Sequence, residues 1–262
     1  MSGETAMNAK ENLWRAFGEL VVVWVIGLVI AEGLAAWMVA SWPVLGSVEA
    51  HVTGDATTYL IWQTSAIFAL VGGAIIYSAF RFRAKSMDDT AAPYYQRRSW
   101  KPFAITWLVV SIAINLANTI YPGMVGLEDL WGAQLQTEHN KNALLVDVTA
   151  QQWKWSFSYP KLGISDVSKL VVPVNQPIEF VLRTKDVIHD FWVPAWGIKK
   201  DVIPNEVRHL FITPTVVGST ATNPMIRVQC TMICGNGHPM MRAPVKVITP
   251  AQFKQWASAN SL

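Results

Sequence analysis

The chain changes its hydrophobic pattern once. Up to Tyr121 the apolar residues come in continuous runs, roughly Leu13 to Ala40, Leu60 to Phe80 and Phe103 to Tyr121. Each matches the about 20 residues that an α-helix needs to cross the hydrocarbon core of a bilayer, and nothing comparable recurs afterwards. From about Leu144 the runs are short and alternating: LLVDVTA, WKWSFSY, KLVVPV, IEFVLR, VIHDFWV, VRHLFIT, MIRVQC and APVKVIT. Alternation puts successive side chains on opposite faces of a strand, and Gly, Pro, Asn or Asp separates most of the runs, so this half predicts a β-sandwich or barrel. The closing TPAQFKQWAS predicts a short helix, with Thr249 as its cap, Pro250 at the first helical position and aromatics at Phe253 and Trp256. The expected division is a membrane domain over 1–122 with three spanning helices and an extracytoplasmic β domain over 123–262.

Composition supports a chain partly solvated by lipid. Of its 262 residues 52% are hydrophobic and 15% charged, too apolar for an ordinary soluble protein. Arg81, Arg83, Lys85, Arg97, Arg98 and Lys101 lie between the second and third runs, and the N-terminus carries Lys10 and Arg15. Basic residues near spans stay in the cytoplasm, so these parts are expected inside. Pro43 to Thr57 carries Glu49 and Asp55 without Lys or Arg, which puts it, and everything after Tyr121, outside. The expected location is a bacterial or archaeal cell membrane, multi-pass, with the N-terminus cytoplasmic and the C-terminal domain periplasmic or extracellular.

The first run also fits the front of a secretory signal peptide, because Lys10 and Arg15 precede Leu20 to Ala31 and small residues at Ala35, Ala36 and Ala40 would permit cleavage. It is taken as a retained helix. Glu19 and Glu32 lie in or near it, and an intramembrane carboxyl is a functional hypothesis by default. The bland account has Glu19 wetted at the cytoplasmic edge and Glu32 facing a neighbouring subunit.

Candidate chemistry concentrates in CTMICGNGHPMM, Cys230 to Met241, where Cys230, Cys234, His238 and Met241 fall within twelve residues. Thiolate, thioether and imidazole together form a donor set that selects copper. His189, in DVIHDFWVP, is the best further ligand; His51, His139 and His209 have no such context. The plain rival is a disulfide, the default fate of two thiols in an oxidising compartment. A Cys-x-x-x-Cys disulfide closes only a tiny loop, stabilises little and leaves His238 and Met241 without a role. Structural zinc rarely uses Met. A blue-copper site needs one thiolate, so the second cysteine is surplus to it, whereas two thiolates can bridge two coppers with one imidazole for each.

These residues resemble cytochrome c oxidase subunit II over roughly Thr57 to Trp256. The most specific element is His189 followed by Cys-x-x-x-Cys-x-x-x-His-x-x-Met at 230 to 241, with QWKWSFSYP at 152 to 160 and GIKKDVIP in support. The resemblance implies membrane helices plus an all-β domain, a cupredoxin-like Greek-key β-barrel. It implies a dinuclear copper A centre, with His189 and Met241 completing one copper, His238 and the Met232 carbonyl the other, and Cys230 and Cys234 bridging both. Trp153 would receive the electron.

Several positions depart from that family. Met232 stands where most members have a Glu that helps bind magnesium, which puts the magnesium site in question. Ala104, ahead of Trp107, stands where the family has an acidic residue associated with proton uptake, and the first membrane run is extra to the usual two. Residues 122–262 hold 13 Lys plus Arg against 10 Asp plus Glu, and Lys154 adjoins Trp153. The expected donor is therefore a cytochrome c or blue-copper protein that is not strongly basic.

The implied function is electron input to a haem-copper oxidase that reduces oxygen to water with proton translocation. The implied partners are catalytic subunit I, other oxidase subunits and membrane lipid, with no nucleic acid. The alternatives are the equivalent subunit of a copper-A nitric oxide reductase and a membrane-anchored copper carrier.

Overall fold

A computed structural model describes residues 3–42, 44–81, 83 and 101–261; Lys85, Arg97 and Arg98 of the basic segment lie outside the described residues. The chain divides into two units, one of residues 1–42 and 57–120, the other of residues 43–56 and 121–262.

The helices α1 (Gly3–Ala40), α2 (Val48–Arg81) from Thr57 onward and α3 (Lys101–Asn118) supply the first unit. Three helical stretches, Trp14–Ala40, Val48–Arg81 and Ala104–Gln136, are long and apolar enough to cross a membrane. Small residues set the approach of α1 to α2. A Cβ on Gly27 would sit 3.6 Å from the Ala69 carbonyl oxygen, and one on Gly73 would sit 3.5 Å from Val23. Such contacts suit helix pairing in lipid, where close packing replaces the hydrophobic drive. Polar bonds cross the same seam. Ser65 Oγ donates to Glu32 Oε1 at 2.8 Å, and Tyr77 OH donates to Glu19 Oε2 at 2.9 Å. Arg15 and Arg81 pair with the same Glu19 carboxylate at 3.1 and 3.3 Å. Glu19 and Glu32 thus both bond within this chain, which the sequence did not suggest.

The second helix starts twelve residues earlier than its apolar run. Ser47 Oγ accepts the Ala50 N–H at 3.0 Å, a side-chain cap, and Glu49 occupies the first turn. Gly54, Asp55 and Thr57 precede the apolar run and do not stop the helix. A further helix, α4 (Val125–Glu138), was also unforeseen, because its residues show no continuous apolar run.

The second unit is built on two sheets. One has the order β3 (Ile164–Val167), β2 (Lys154–Tyr159), β1 (Leu144–Gln151), β5 (Ile178–Thr184) and β8 (Arg208–Ile212). The other runs β4 (Leu170–Pro173), β11 (Arg242–Ile248), β10 (Arg227–Cys230), β6 (His189–Trp192) and β7 (Lys199–Val202), with β9 (Gly218–Ser219) also on β11. Two pairings are parallel, β1 with β5 and β11 with β4, and the rest antiparallel, so the connections cross between sheets. Together with the membrane helices this is the expected class, a cupredoxin-like β-barrel behind N-terminal spans. Strands β3, β7 and β9 were not predicted: β9 has two residues, and β3 (ISDV) and β7 (KKDV) carry too few apolar residues to stand out as runs.

Alternation becomes burial. Strand β1 reads buried, half-buried, buried along its whole length. The inward aromatics meet between the sheets: Phe180 lies 5.3 Å from Phe191 and 5.7 Å from Trp196, centroid to centroid. Tyr159 ties β2 to β4 by donating to the Val171 carbonyl at 2.8 Å and accepting the Val171 N–H at 2.9 Å. The segment 43–56 packs on this unit too. Gly46 N–H donates to Ala195 O at 2.6 Å and Ser47 Oγ to Trp196 O at 3.0 Å. Glycine is required at 197, where φ is +75° and a Cβ would lie 2.6 Å from Ala50 Cα. The terminal helix α5 (Pro250–Asn260) begins on a complete capping box between Thr249 and Gln252, with Phe253 buried.

Candidate metal centre

Three neighbouring strands deliver the sulfur and nitrogen ligands to one end of the barrel. His189 opens β6, Cys230 closes β10 opposite Phe191, and Met241 immediately precedes β11. The Cys230 N–H donates to the Met241 carbonyl at 3.1 Å, which closes the intervening loop on itself. That loop supplies Met232, Cys234 and His238.

All the sulfur and imidazole ligands face one volume. His189 Nδ1 lies 3.9 Å from Cys230 Sγ, the two Sγ atoms are 3.9 Å apart, and Cys234 Sγ lies 3.5 Å from His238 Nδ1 and 3.7 Å from Met241 Sδ. Cys230 Sγ donates to the Met232 carbonyl oxygen at 3.1 Å. Both cysteines are free thiols. Ligand atoms of His189, Cys230 and Cys234 lie within 4.8 Å of one another, close enough to share an ion. Burial raises the Cys234 thiol to about 11, with the neighbouring Cys230 adding to the shift, so without metal it carries its proton at neutral pH.

The surroundings fix the ligands unequally. Asp186 Oδ1 accepts the His189 Nε2–H at 2.8 Å, leaving the Nδ1 lone pair for the site. Burial alone would raise the Asp186 carboxyl, but hydrogen bonds from the Gln152 N–H, His189, the Val187 N–H and Thr184 outweigh it and hold it at about 2. Gln152 also donates through Nε2 to the Cys234 carbonyl at 2.7 Å. Thr231 Oγ1 donates to the buried Asp190, whose Oδ2 also pairs with Lys199 at 3.1 Å, anchoring the start of the loop. Trp155 packs edge-on to His189 and Phe191 at 6.2 and 5.6 Å. Apart from Thr184, these supporting residues lie inside DVIHDFWVP, QWKWSFSYP, GIKKDVIP and CTMICGNGHPMM, but nothing in the spacing of those motifs assigned them to the site.

Trp153 lies over the loop, 41% exposed, and donates through Nε1 to the Cys234 carbonyl at 3.2 Å. Gly235 and Gly237 make room for it, since a Cβ at 237 would come within 2.6 Å of indole Cε3. Met232 and Ile233 point outward at the loop tip, 40% and 85% exposed. The remaining histidines stand apart from the site: His139 bonds the Leu135 carbonyl, and His209 pairs with Glu179 at 2.8 Å.

Two thiols, two imidazole nitrogens, a thioether and a carbonyl exceed the four places of a tetrahedral zinc, and sulfur dominates the set. The donors fit copper, and two thiols facing both imidazoles fit a pair of ions better than one.

A cupredoxin-like β domain with two free thiols and a histidine that could share a metal ion, in a chain with helices long and apolar enough to cross a membrane, defines the class. Residues 161–248 match the family model described as cytochrome c oxidase subunit II, periplasmic domain. Cytochrome c oxidase subunit 2 of Synechocystis is 27% identical over 84% of this chain and 75% of its own length. The alternative cytochrome c oxidase subunit 2 of Bradyrhizobium diazoefficiens is 28% identical over 77% and 78%. The periplasmic domain of subunit II of cytochrome oxidase from Bradyrhizobium japonicum is 28% identical over 46% of this chain and 95% of that one, with a TM-score of 0.41. The family-model match and the two sequence relatives bear out the resemblance read from the ligand spacing: the chain is similar to cytochrome c oxidase subunit II.

Proposed function

We propose that this chain is the electron-input subunit of a terminal haem-copper oxidase. It takes single electrons from a soluble donor outside the membrane and passes them to haem in the catalytic subunit, where oxygen is reduced to water with proton translocation. The observation that carries the reading is the convergence of His189, Cys230, Met232, Cys234, His238 and Met241 on one volume. His189 and Met241 would hold one copper, His238 and the Met232 carbonyl the other, with both thiolates shared; bound there, dinuclear copper A supplies one-electron transfer.

The chain's own residues do the rest. The Asp186 carboxylate fixes the His189 tautomer, and the barrel keeps His189, Cys230, Cys234 and Met241 out of water. Fixed, dry ligands leave little room for movement when charge changes, which favours rapid transfer. Trp153 offers a π-surface between solvent and the Cys234 carbonyl. With Met232 in place of a carboxylate, the side chain contributes no magnesium ligand.

The membrane orientation follows the basic residues, with the β domain on the periplasmic or extracellular side. Paramagnetic resonance on the copper-loaded chain tests the centre: hyperfine structure from one electron shared over two copper nuclei is expected, and a signal confined to one nucleus refutes it. Consumption of oxygen but not nitric oxide by the purified complex separates the oxidase from a reductase.

A further inference from the structure

The charge of the chain is lopsided around the metal loop. After Glu206 there is no Asp or Glu to the end of the chain, while Arg208, Arg227, Arg242, Lys246 and Lys254 all fall there. This stretch contains the loop and both strands that carry it, β10 and β11.

Strand register gathers three of these cations. Arg227 lies opposite Pro244 in the antiparallel β10–β11 pair, so Arg242 and Lys246 are its two diagonal neighbours. Diagonal partners on one face stand about 7–8 Å apart, within reach for long side chains. Alternation confirms a shared outward face: Val228, Ala243 and Val245 are buried, whereas Arg242, Pro244 and Lys246 are exposed and Arg227 half-buried. Among the described residues none of the three cations pairs with a carboxylate. Arg227 is held by neutral acceptors, with Nε donating to Gln229 Oε1 at 2.7 Å and another guanidinium N–H to the Pro224 carbonyl. Burial and then the nearby Arg242 both pull its pKa below the usual arginine value.

Like charges set side by side without a counter-ion cost free energy that a bound anion recovers. Arg227 and Arg242 line an open groove of about 450 Å³ with Thr220, Pro224, Ala243 and Pro244. Arg242 also lines a smaller cleft of about 160 Å³ bounded by Cys230, His238 and Met241. The anion-receptive groove therefore adjoins the metal loop directly.

We propose that the Arg227–Arg242 pair, with Lys246 beside it, is a carboxylate-binding site that docks an acidic electron-donor protein next to the His238 side of the metal loop. The proposal rests on the electron-input reading for the donor's role and on the groove alone for its chemistry. Arginine presents a planar fork matched to a carboxylate, and an acidic patch on the donor would be steered to the pair before contact.

Two measurements on the full chain in detergent test it. Binding of a fluorescent hexaglutamate peptide, followed by anisotropy, needs no metal: binding to the parent chain is expected to weaken about tenfold in R227Q/R242Q, the loss given by removal of a charge-assisted pair of about 1.4 kcal/mol. Equal binding by the two chains overturns the site. In the second, the copper-loaded, oxidised chain is reduced by iron(II)–EDTA, a carboxylate-bearing dianion that gives up one electron and becomes the iron(III) monoanion. The reduction is expected to slow at least about fivefold in R227Q/R242Q at low salt, with the difference shrinking as the Debye length falls. Reduction by the cation hexaammineruthenium(II) is expected not to slow. Slowing with both reductants, or with neither, overturns steering by the pair. Unchanged resonance in the variant shows that the neighbouring Met241 is undisturbed. A chain that binds the peptide but takes up no copper refutes the electron-input reading while leaving the anion site standing.

Discussion

The two histidines of the metal centre are held in opposite ways. His189 stands on a strand, fully buried, with its far nitrogen bonded to Asp186 at 2.8 Å and Trp155 packed against its ring. His238 opens a short 3-10 turn between Gly237 and Pro239, half-buried, and among the described residues its ring has one hydrogen-bond partner, Cys234 Sγ at 3.5 Å. His189 is therefore oriented by its surroundings, whereas the His238 ring is held by that single contact. A pre-oriented ligand loses less freedom on binding, so the two halves of the centre contribute unequally to affinity.

The largest expected effect comes from removing what both halves share. Cys234→Ser leaves a single thiolate and is expected to abolish the two-nucleus resonance altogether; a variant that kept it would disprove the bridge. Next is His189→Ala against His238→Ala. The strand variant should lose copper at lower chelator concentration, because it also leaves Asp186 facing an empty buried space, and the reverse order would break the comparison. Smaller again is Asp186→Asn, which keeps the ring in place but removes its charged partner. Copper affinity is expected to fall about 10–100-fold in a competition titration. Met241→Leu, close in volume, should keep copper and the fold while shifting the reduction potential read by voltammetry. The smallest effect on the site is expected for Trp153→Phe, which leaves the copper resonance unchanged and slows reduction by the donor.

The same contrast explains what was legible in the sequence. Cys230, Cys234, His238 and Met241 were visible because their chemistry is crowded into twelve residues, and His189 because it sits in a recognisable strand. Gln152, Thr231 and Asp190 lie in the same motifs, but their supporting roles were hidden, because those contacts depend on which strands lie side by side. The long apolar runs showed the spans, and period two showed eight of the eleven strands. Two-residue β9, and β3 and β7 with their polar and charged residues, show no apolar run, and α4 has no continuous one. The packing of 43–56 against Ala195, Trp196 and Thr213 was hidden for another reason: its signals are single bonds from Gly46, Ser47 and Glu49, not a pattern. The cation group at Arg227, Arg242 and Lys246 becomes apparent only once register is known.

One consequence concerns Gly237. The Trp153 indole occupies the space where a side chain at 237 would begin, and Gly237 itself supplies no metal-ligating atom. A change as slight as Gly237→Ala must lift the indole without removing a ligand. Copper content and spectrum would then pass inspection in a preparation whose turnover had failed, a defect that metal analysis would certify as sound.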